Sequence, residues 1–422
     1  HPGNRDPLWS RGLGDVYKRQ GQRVGKFVPF TDDGTIAKSC IFEDGDTPTL
    51  SRTIGSASST TTFTISCWVK RGNTGLLRGI WSREGANDNN ELRLYFDSSD
   101  RLNWSYYPNG DTAKLTTNRT FEDTSKWYHI VAVSDTSNST SAYRWRLYVD
   151  GDEISSFATS TYPSQSTSIA LFSSDSYSEY IGRARSVSTT SFDGYLAEFN
   201  IVDGSALTPS TFGLTDTSTG RWIPKTLTGI TYGNTGNRLT FENNVAIQNI
   251  GYDTSGNGNN LTVANIAIAD VVPDSPTQNY ATLSPFVISN APTLTEGNLK
   301  ALASTNLKYG MTASTLSWDT SDTTGYYAEF RKNDSSAIGA SFFNIGCVHT
   351  DGKNSDLDHS NADNVTAGSL VWYENGNMSI STRGDGTRLQ PGAGHIGAYG
   401  NTGDIMMIAA KGNQVYFGNA SK

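Results

Sequence analysis

Apolar and polar positions alternate with a period of two over much of the chain. In the run FTISCWVK, Phe63, Ile65, Cys67 and Val69 fall on one side, and Thr64, Ser66, Trp68 and Lys70 fall on the other. That is the pattern of a strand with one buried face. The same alternation returns in ELRLYF (91–96), RLNWSYY (101–107), KWYHIVAVS (126–134), YRWRLYVDG (143–151) and DGYLAEFNIVDG (193–204). In YRWRLYVDG, Trp145, Leu147 and Val149 share a face, and the Asp150-Gly151 pair that follows predicts a tight hairpin. No long segment carries helical periodicity. The expectation is an all-β protein of short strands stacked into a sandwich or jelly roll.

Composition agrees with this pattern. Charged residues make up 18% of the 422 positions and aromatics 11%, with 9 Trp and 20 Tyr, so the chain is rich in residues that suit pleated surfaces. The formal net charge of −8 argues against a nucleic-acid partner. No apolar run is long enough for a spanning helix, so no membrane insertion is expected. Cys40, Cys67 and Cys347 are odd in number and widely spaced, which indicates neither a disulfide framework nor a zinc site.

The first twenty residues do not fit the rest. SRGLGDVYKRQ (10–20) resembles the translation of a transposase adapter used in sequencing libraries, which marks 1–20 as a disordered artefact of metagenomic origin. The remainder divides into a β-domain at 21–225, a strand pair with a Pro-containing linker at 226–293, and a further β-sandwich at 294–422. That last sandwich is expected to be truncated.

Three stretches carry a family resemblance: FTISCWVKRG, KWYHIVAVSDTSNSTSAYRWRLYVDGDEI and SFDGYLAEFNIVDGSALTPSTFG. They resemble the laminin-G-like branch of the concanavalin A-like lectin/glucanase superfamily over roughly Thr31 to Trp222. FDGYLAEFNIVDG followed by ALTPSTFG is similar to a module of virion structural proteins, tail-fibre-like, in marine tailed bacteriophages. YYAEFR, IGCVHT, WYENGN and GDIMMIAA with NQVYFG resemble a SPRY domain. The implied fold class is a concanavalin A-like jelly roll, then a linker and strand pair, then a SPRY-like sandwich. The implied role is carbohydrate binding in adsorption to host surface glycans. Other virion proteins would be partners, and a homotrimer would add avidity. A purely structural virion decoration, a secreted lectin-like protein and a polysaccharide depolymerase are the alternatives.

Catalysis is not expected. Glucanases of the superfamily use an E-x-D-x-E run, which this chain lacks, and Asp150, Asp152 and Glu153 fall in the expected hairpin turn. Gly392 to Gly397 matches G-x-G-x-x-G outside any βαβ unit, and Arg383-Gly384-Asp385 is a tripeptide that arises readily by chance. His129 reads as a core-face residue. Sugar recognition needs aromatic faces flanked by polar groups, so Trp68 on the polar face of its strand, Tyr106, Tyr107 and Asn109 in an expected turn, and Arg144 and Arg146 are the candidate ligand-binding residues. No cofactor is expected: laminin-G-like modules often hold a rim Ca²⁺, and Asp97, Asp150 and Asp152 stand near turns, but no loop shows a dedicated calcium pattern.

Overall fold

The computed structural model describes residues 34–85, 90–108, 113–169, 172, 177–184, 188–286, 292–302, 312–317, 321, 325–332, 403–412 and 414–420, together with the backbone of 344–348, 369–373, 378–381 and 388–389. Among these residues there are strands and short 3-10 turns and no α-helix. The 1–20 segment, Asn109, the Arg383-Gly384-Asp385 tripeptide and the 392–397 motif lie outside the described residues.

Thirteen strands lead into the first compact unit, which spans Val28–Pro285 and Leu294–Leu302. They are β1 (Ser39–Phe42), β2 (Thr49–Thr53), β3 (Thr62–Arg71), β4 (Arg78–Glu84), β5 (Asn90–Phe96), β6 (Arg101–Pro108), β7 (Ala113–Thr120), β8 (Tyr128–Asp135), β9 (Trp145–Val149), β10 (Asp152–Glu153), β11 (Phe157–Thr161), β12 (Ser178–Ile181) and β13 (Gly194–Asp203). The shorter β14 (Gly213–Thr215), β15 (Trp222–Pro224), β16 (Asn237–Leu239), β17 (Thr262–Ala264) and β18 (Val271–Val272) follow. One sheet runs β10-β9-β8-β3-β13-β1-β18, with β16 also paired to β13. The other runs β11-β7-β6-β5-β4-β12-β2-β17. Every pairing given for these strands is antiparallel.

The two sheets enclose one continuous core. Phe63, Ile65, Cys67 and Val69 enter it from β3, Leu92, Leu94 and Phe96 from β5, and Leu102 and Trp104 from β6. Trp104 stacks on Trp145 across the sandwich with ring centroids 4.2 Å apart. Each fully buried apolar side chain of this size stabilises the fold by about 1.5–3 kcal/mol. The Asp150-Gly151 hairpin forms as the sequence implies: Val149 pairs with Asp152, and both turn residues have positive φ (54° and 89°). A Cβ on Gly151 would come within 2.5 Å of the Trp222 ring, so the position needs glycine for space as well as for φ.

Two expectations are revised. β3 is buried on both faces, because residues beyond β13 fold back over its outer side. Thr64 Oγ1 donates to the Ser205 carbonyl (2.7 Å), and Lys70 Nζ reaches Asp274 Oδ2 (2.8 Å). The strand-pair segment 226–293 is also not a separate unit through Pro285. β16 pairs with β13, β17 with β2 and β18 with β1. Leu239, Phe241, Ile250, Leu261 and Val271 join the sandwich core, and that apolar burial draws the segment in. Its SGNGNN loop is held by Asp253, which accepts the N–H groups of Arg238, Ser255 and Asn259.

Beyond Pro285, β19 (Thr293–Thr295) and β20 (Lys300–Leu302) form a two-stranded sheet. The second compact unit contains β21 (Gly325–Arg331), β22 (Asn344–Val348), β23 (Ser369–Tyr373), β24 (Met378–Ser381), β25 (Arg388–Leu389), β26 (Ile405–Lys411) and β27 (Gln414–Ala420). These strands make one antiparallel sheet of order β21-β26-β27 and another of order β22-β23-β24-β25.

Candidate functional site

The outward faces of the two sheets differ sharply. Apolar clusters around Trp68, Trp127 and Tyr195, and around Val133, Phe212 and Tyr232, cover the outer side of the first sheet. Among the described residues no such cluster covers the outer side of the second. Alternation leaves that side polar, because Leu92 and Leu94 point inward and their neighbours Glu91, Arg93 and Tyr95 must point outward. The strand register then assembles a row. Tyr180 stands opposite Ser82, Ser82 opposite Arg93, Arg93 opposite Ser105, and Ser105 opposite Lys114. A second row sets Glu84 opposite Glu91 and Glu91 opposite Tyr107.

Arg93 is central to this face. Its Nε lies 3.2 Å from Glu91 Oε2, and its guanidinium sits 5.1 Å from the Tyr95 ring centroid. Tyr107, Lys114 and Tyr180 are half-buried, whereas Ser82 and Ser105 are covered. The Arg93 guanidinium and the Lys114 ammonium thus stand beside the partly exposed phenol rings of Tyr107 and Tyr180, with the Glu84 and Glu91 carboxylates buried between the strands. That combination suits a ligand with apolar C–H faces and many hydroxyls. The alternation in ELRLYF carries the signal for Glu91 and Arg93, yet only the register of β4 to β7 reveals which polar residues they meet.

The residues singled out from the sequence do not converge. Tyr107 alone lies on the polar face. Tyr106 is not in a turn: it belongs to β6 and enters the core, 3% exposed. Trp68 is 4% exposed and stacks on His129 at 4.6 Å beneath the covering segment, so it offers no free ring face. Arg144 donates to the carbonyls of Asn138, Ser139 and Pro163, which makes it a loop anchor. Arg146 is half-buried on the first sheet, between the Tyr143 and Tyr148 rings.

His129 is a core residue, as the sequence suggests. Burial holds its pKa down to about 3, so the ring is neutral. Trp222 Nε1 donates to Nδ1 (2.9 Å), which leaves the proton on Nε2, 2.9 Å from Ser66 Oγ.

The carboxylates expected near a cation are also dispersed. Asp97 accepts the backbone N–H groups of Ser99 and Arg101, Asp150 accepts the His129 N–H and pairs with Lys126, and Asp152 is exposed. A different group converges: the carboxylates of Glu43, Asp44 and Asp193 lie within 4.8 Å of one another. Burial, then repulsion from Glu43 and Asp44, pushes the Asp193 carboxyl well above the usual range; burial likewise raises Glu43. Arg78 pairs with Asp44 and neutralises part of this charge. The all-oxygen donor set is of the kind that hard divalent cations take.

Residues 44–211 match a laminin-G-type family model described as the concanavalin A-like lectin/glucanases superfamily. The first unit therefore has a concanavalin A-like jelly-roll fold over the matched residues. The face built by β4 to β7 and β12 lies within these matched residues. No curated protein matches the chain. Among solved structures, the chain is similar to a native heptameric SAP-like pentraxin from Limulus polyphemus, at 17% identity over 42% of this chain and 80% of that one, with a TM-score of 0.31. It is also similar to the mouse laminin α1 chain domains LG4-5, at 11% identity over 93% and 78%, TM-score 0.32. A third is the Ruminococcus gnavus IT-sialidase CBM40 bound to α2,3 sialyllactose, at 12% identity over 36% and 80%, TM-score 0.28.

Proposed function

We propose that the chain is a non-enzymatic glycan-binding protein whose lectin-like domain uses the outward face of its second sheet. The observation that carries this reading is a polar row centred on Arg93, within residues that match a lectin-superfamily model, on a sheet side that no apolar cluster among the described residues covers. The finer setting is a virion, as a tail or tail-fibre-like protein that helps a bacteriophage adsorb to host surface glycans. It is supported by the FDGYLAEFNIVDG and ALTPSTFG stretches. The SPRY-like reading of 294–422 belongs to the same proposal, as does a homotrimer in which weak sites gain avidity. Screening the full chain against bacterial surface polysaccharides tests the adhesion reading, which falls if every ligand fails at millimolar concentration. Proteomics of purified particles tests the virion setting.

One observation favours a second reading, polysaccharide hydrolysis. Glu84 and Glu91 face each other in register, and directly opposed residues have Cβ atoms about 4.5–5.5 Å apart. Retaining glycosidases use two carboxyl groups close together, and these two glutamates are the directly opposed pair on this face. Release of reducing ends from host polysaccharide, abolished by Glu91→Gln, would establish hydrolysis over simple binding.

A further inference from the structure

Lys70 projects from β3 on the side away from the sandwich core, and it is entirely enclosed. Its Nζ lies 2.8 Å from Asp274 Oδ2, 2.8 Å from Asn279 Oδ1 and 2.8 Å from the Tyr280 carbonyl. The Lys70 side chain has no exposure, that of Asp274 has 6%, and Asn279 as a residue has 2%. Trp127 caps the carboxylate with an N–H donated to Asp274 Oδ1 (3.0 Å), and the Tyr195 ring stands 5.3 Å from Nζ. The Asn279 amide nitrogen donates to the Ser125 carbonyl (2.8 Å), which fixes the plane of the amide. An amine, a primary amide and a carboxyl group are therefore held together in a dry, aromatic-walled site.

We propose that Lys70 and Asn279 become joined by an intramolecular isopeptide bond, with Asp274 accepting the ammonium proton. The reaction needs three conditions, and each is visible. The nucleophile and the amide must be in contact, which confinement achieves at effective concentrations far above any in solution. The lysine must reach its neutral form, and burial lowers its pKa despite Asp274. The carboxyl must be able to hold a proton, and burial raises Asp274 despite Lys70.

The step balances without a co-reactant. The Lys70 ammonium passes one proton to Asp274, and the freed Nζ lone pair attacks Cγ of Asn279, forming the new C–N bond as the carbonyl π pair moves to Oδ1. When that pair returns, the Cγ–Nδ2 bond breaks and its electrons leave on nitrogen. Nζ yields a second proton to the departing Nδ2, and ammonia is released. An amine and a primary amide become a secondary amide and ammonia. Asp274 ends as the buried acid, and nothing is oxidised or reduced.

The bond would tie the central strand β3 to the segment after β18, locking the covering layer onto the first sheet whatever the protein binds. Intact mass spectrometry of the full chain tests it. The expected result is a mass lower than the sequence mass by one ammonia, with a tryptic digest yielding the Lys70 and Asn279 peptides as a single branched species. Asp274→Ala is expected to restore the full mass, with circular dichroism confirming retained β-structure. Recovery of wild-type protein at its full sequence mass, with the two peptides separate, overturns the proposal regardless of how any variant folds. Loss of water in place of ammonia, with the link at Asp274, overturns the roles assigned to Asn279 and Asp274.

Discussion

Arg83 and Glu179 meet at 2.9 Å with neither side chain exposed, and Arg52 approaches the other Glu179 oxygen at 2.6 Å. The register explains the triad: Arg83 and Arg52 flank Glu179 on neighbouring strands, on the core face of the second sheet. The Arg83 guanidinium also packs 3.8 Å from the Phe172 ring centroid. Removing the one anion leaves two cations in the interior. Glu179→Gln is therefore expected to cost about 3–5 kcal/mol, the usual loss when a buried pair is broken from one side. Chemical denaturation measures it, and a loss below about 1 kcal/mol would contradict the triad's role.

The same site and His129 both shape the response to acid, and only His129 acts between about pH 6.5 and 4.5. Burial acting alone would raise Glu179, but Arg52 and Arg83 outweigh it and hold the carboxyl below its ordinary range. A depressed carboxyl contributes stability above its unfolded pKa and loses it as pH falls through the folded value, so this contribution fades below about pH 4.5. His129 is held at about 3, against 6.5 when unfolded, so between those values only the unfolded chain takes up its proton. Stability is expected to decline as pH falls from about 6.5 towards 3, by a few kcal/mol in order of magnitude. His129→Gln should flatten the melting-temperature profile between pH 6 and 4.5 and leave the steeper fall below it, a pattern that thermal scans across pH will detect.

How far the sequence could be read depended on the range of the interactions. Alternation along one strand exposed the jelly roll, because Phe63, Ile65, Cys67 and Val69 repeat a local rule. Alternation could not say that Trp68 on the opposite side is covered, since Trp222 and Val272, which close over it, lie more than a hundred residues away. Tyr106 departs from expectation for a related reason: a Tyr-Tyr-Pro run reads as a turn, yet its pairing with Leu92 extends β6 through Pro108. Glu84, Glu91 and Arg93 carry no signal of a shared site in the sequence because each is unremarkable in its own strand. Register alone brings them together.

The acidic cluster makes a prediction about metal. Asp193 is 5% exposed, and Glu43 and Asp44 push its carboxyl upward, so a bound divalent cation would relieve a repulsion that the fold otherwise bears. Calcium is expected to raise the melting temperature of the full chain, and a chelator to reverse the rise. A cation at a hundred times its Kd stabilises by about 2.7 kcal/mol. Asp193→Asn should remove the response, whereas Asp152→Asn, at an exposed hairpin position, should retain it. Equal responses in both variants would move the cation elsewhere.

The polar face yields the most direct test of function, because its residues can be separated from those that merely hold the fold. Arg93 lies on β5 and Tyr107 on β6, where Tyr107 stands opposite Glu91, two positions from Arg93, and both keep part of their surface accessible. A glycan lying across β4 to β6 would take hydroxyl contacts from Arg93 and a stacking surface from Tyr107. Arg93→Ala and Tyr107→Ala are each expected to weaken binding about tenfold, corresponding to about 1.4 kcal/mol. Arg144→Ala is the control. Its guanidinium is committed to three loop carbonyls, so it should lower the melting temperature while leaving affinity unchanged. Calorimetric titration of each variant with the polysaccharide identified by screening decides the matter. If Arg144→Ala loses affinity and Arg93→Ala does not, the ligand sits at the loops of the first sheet and the face of the second is not the binding surface.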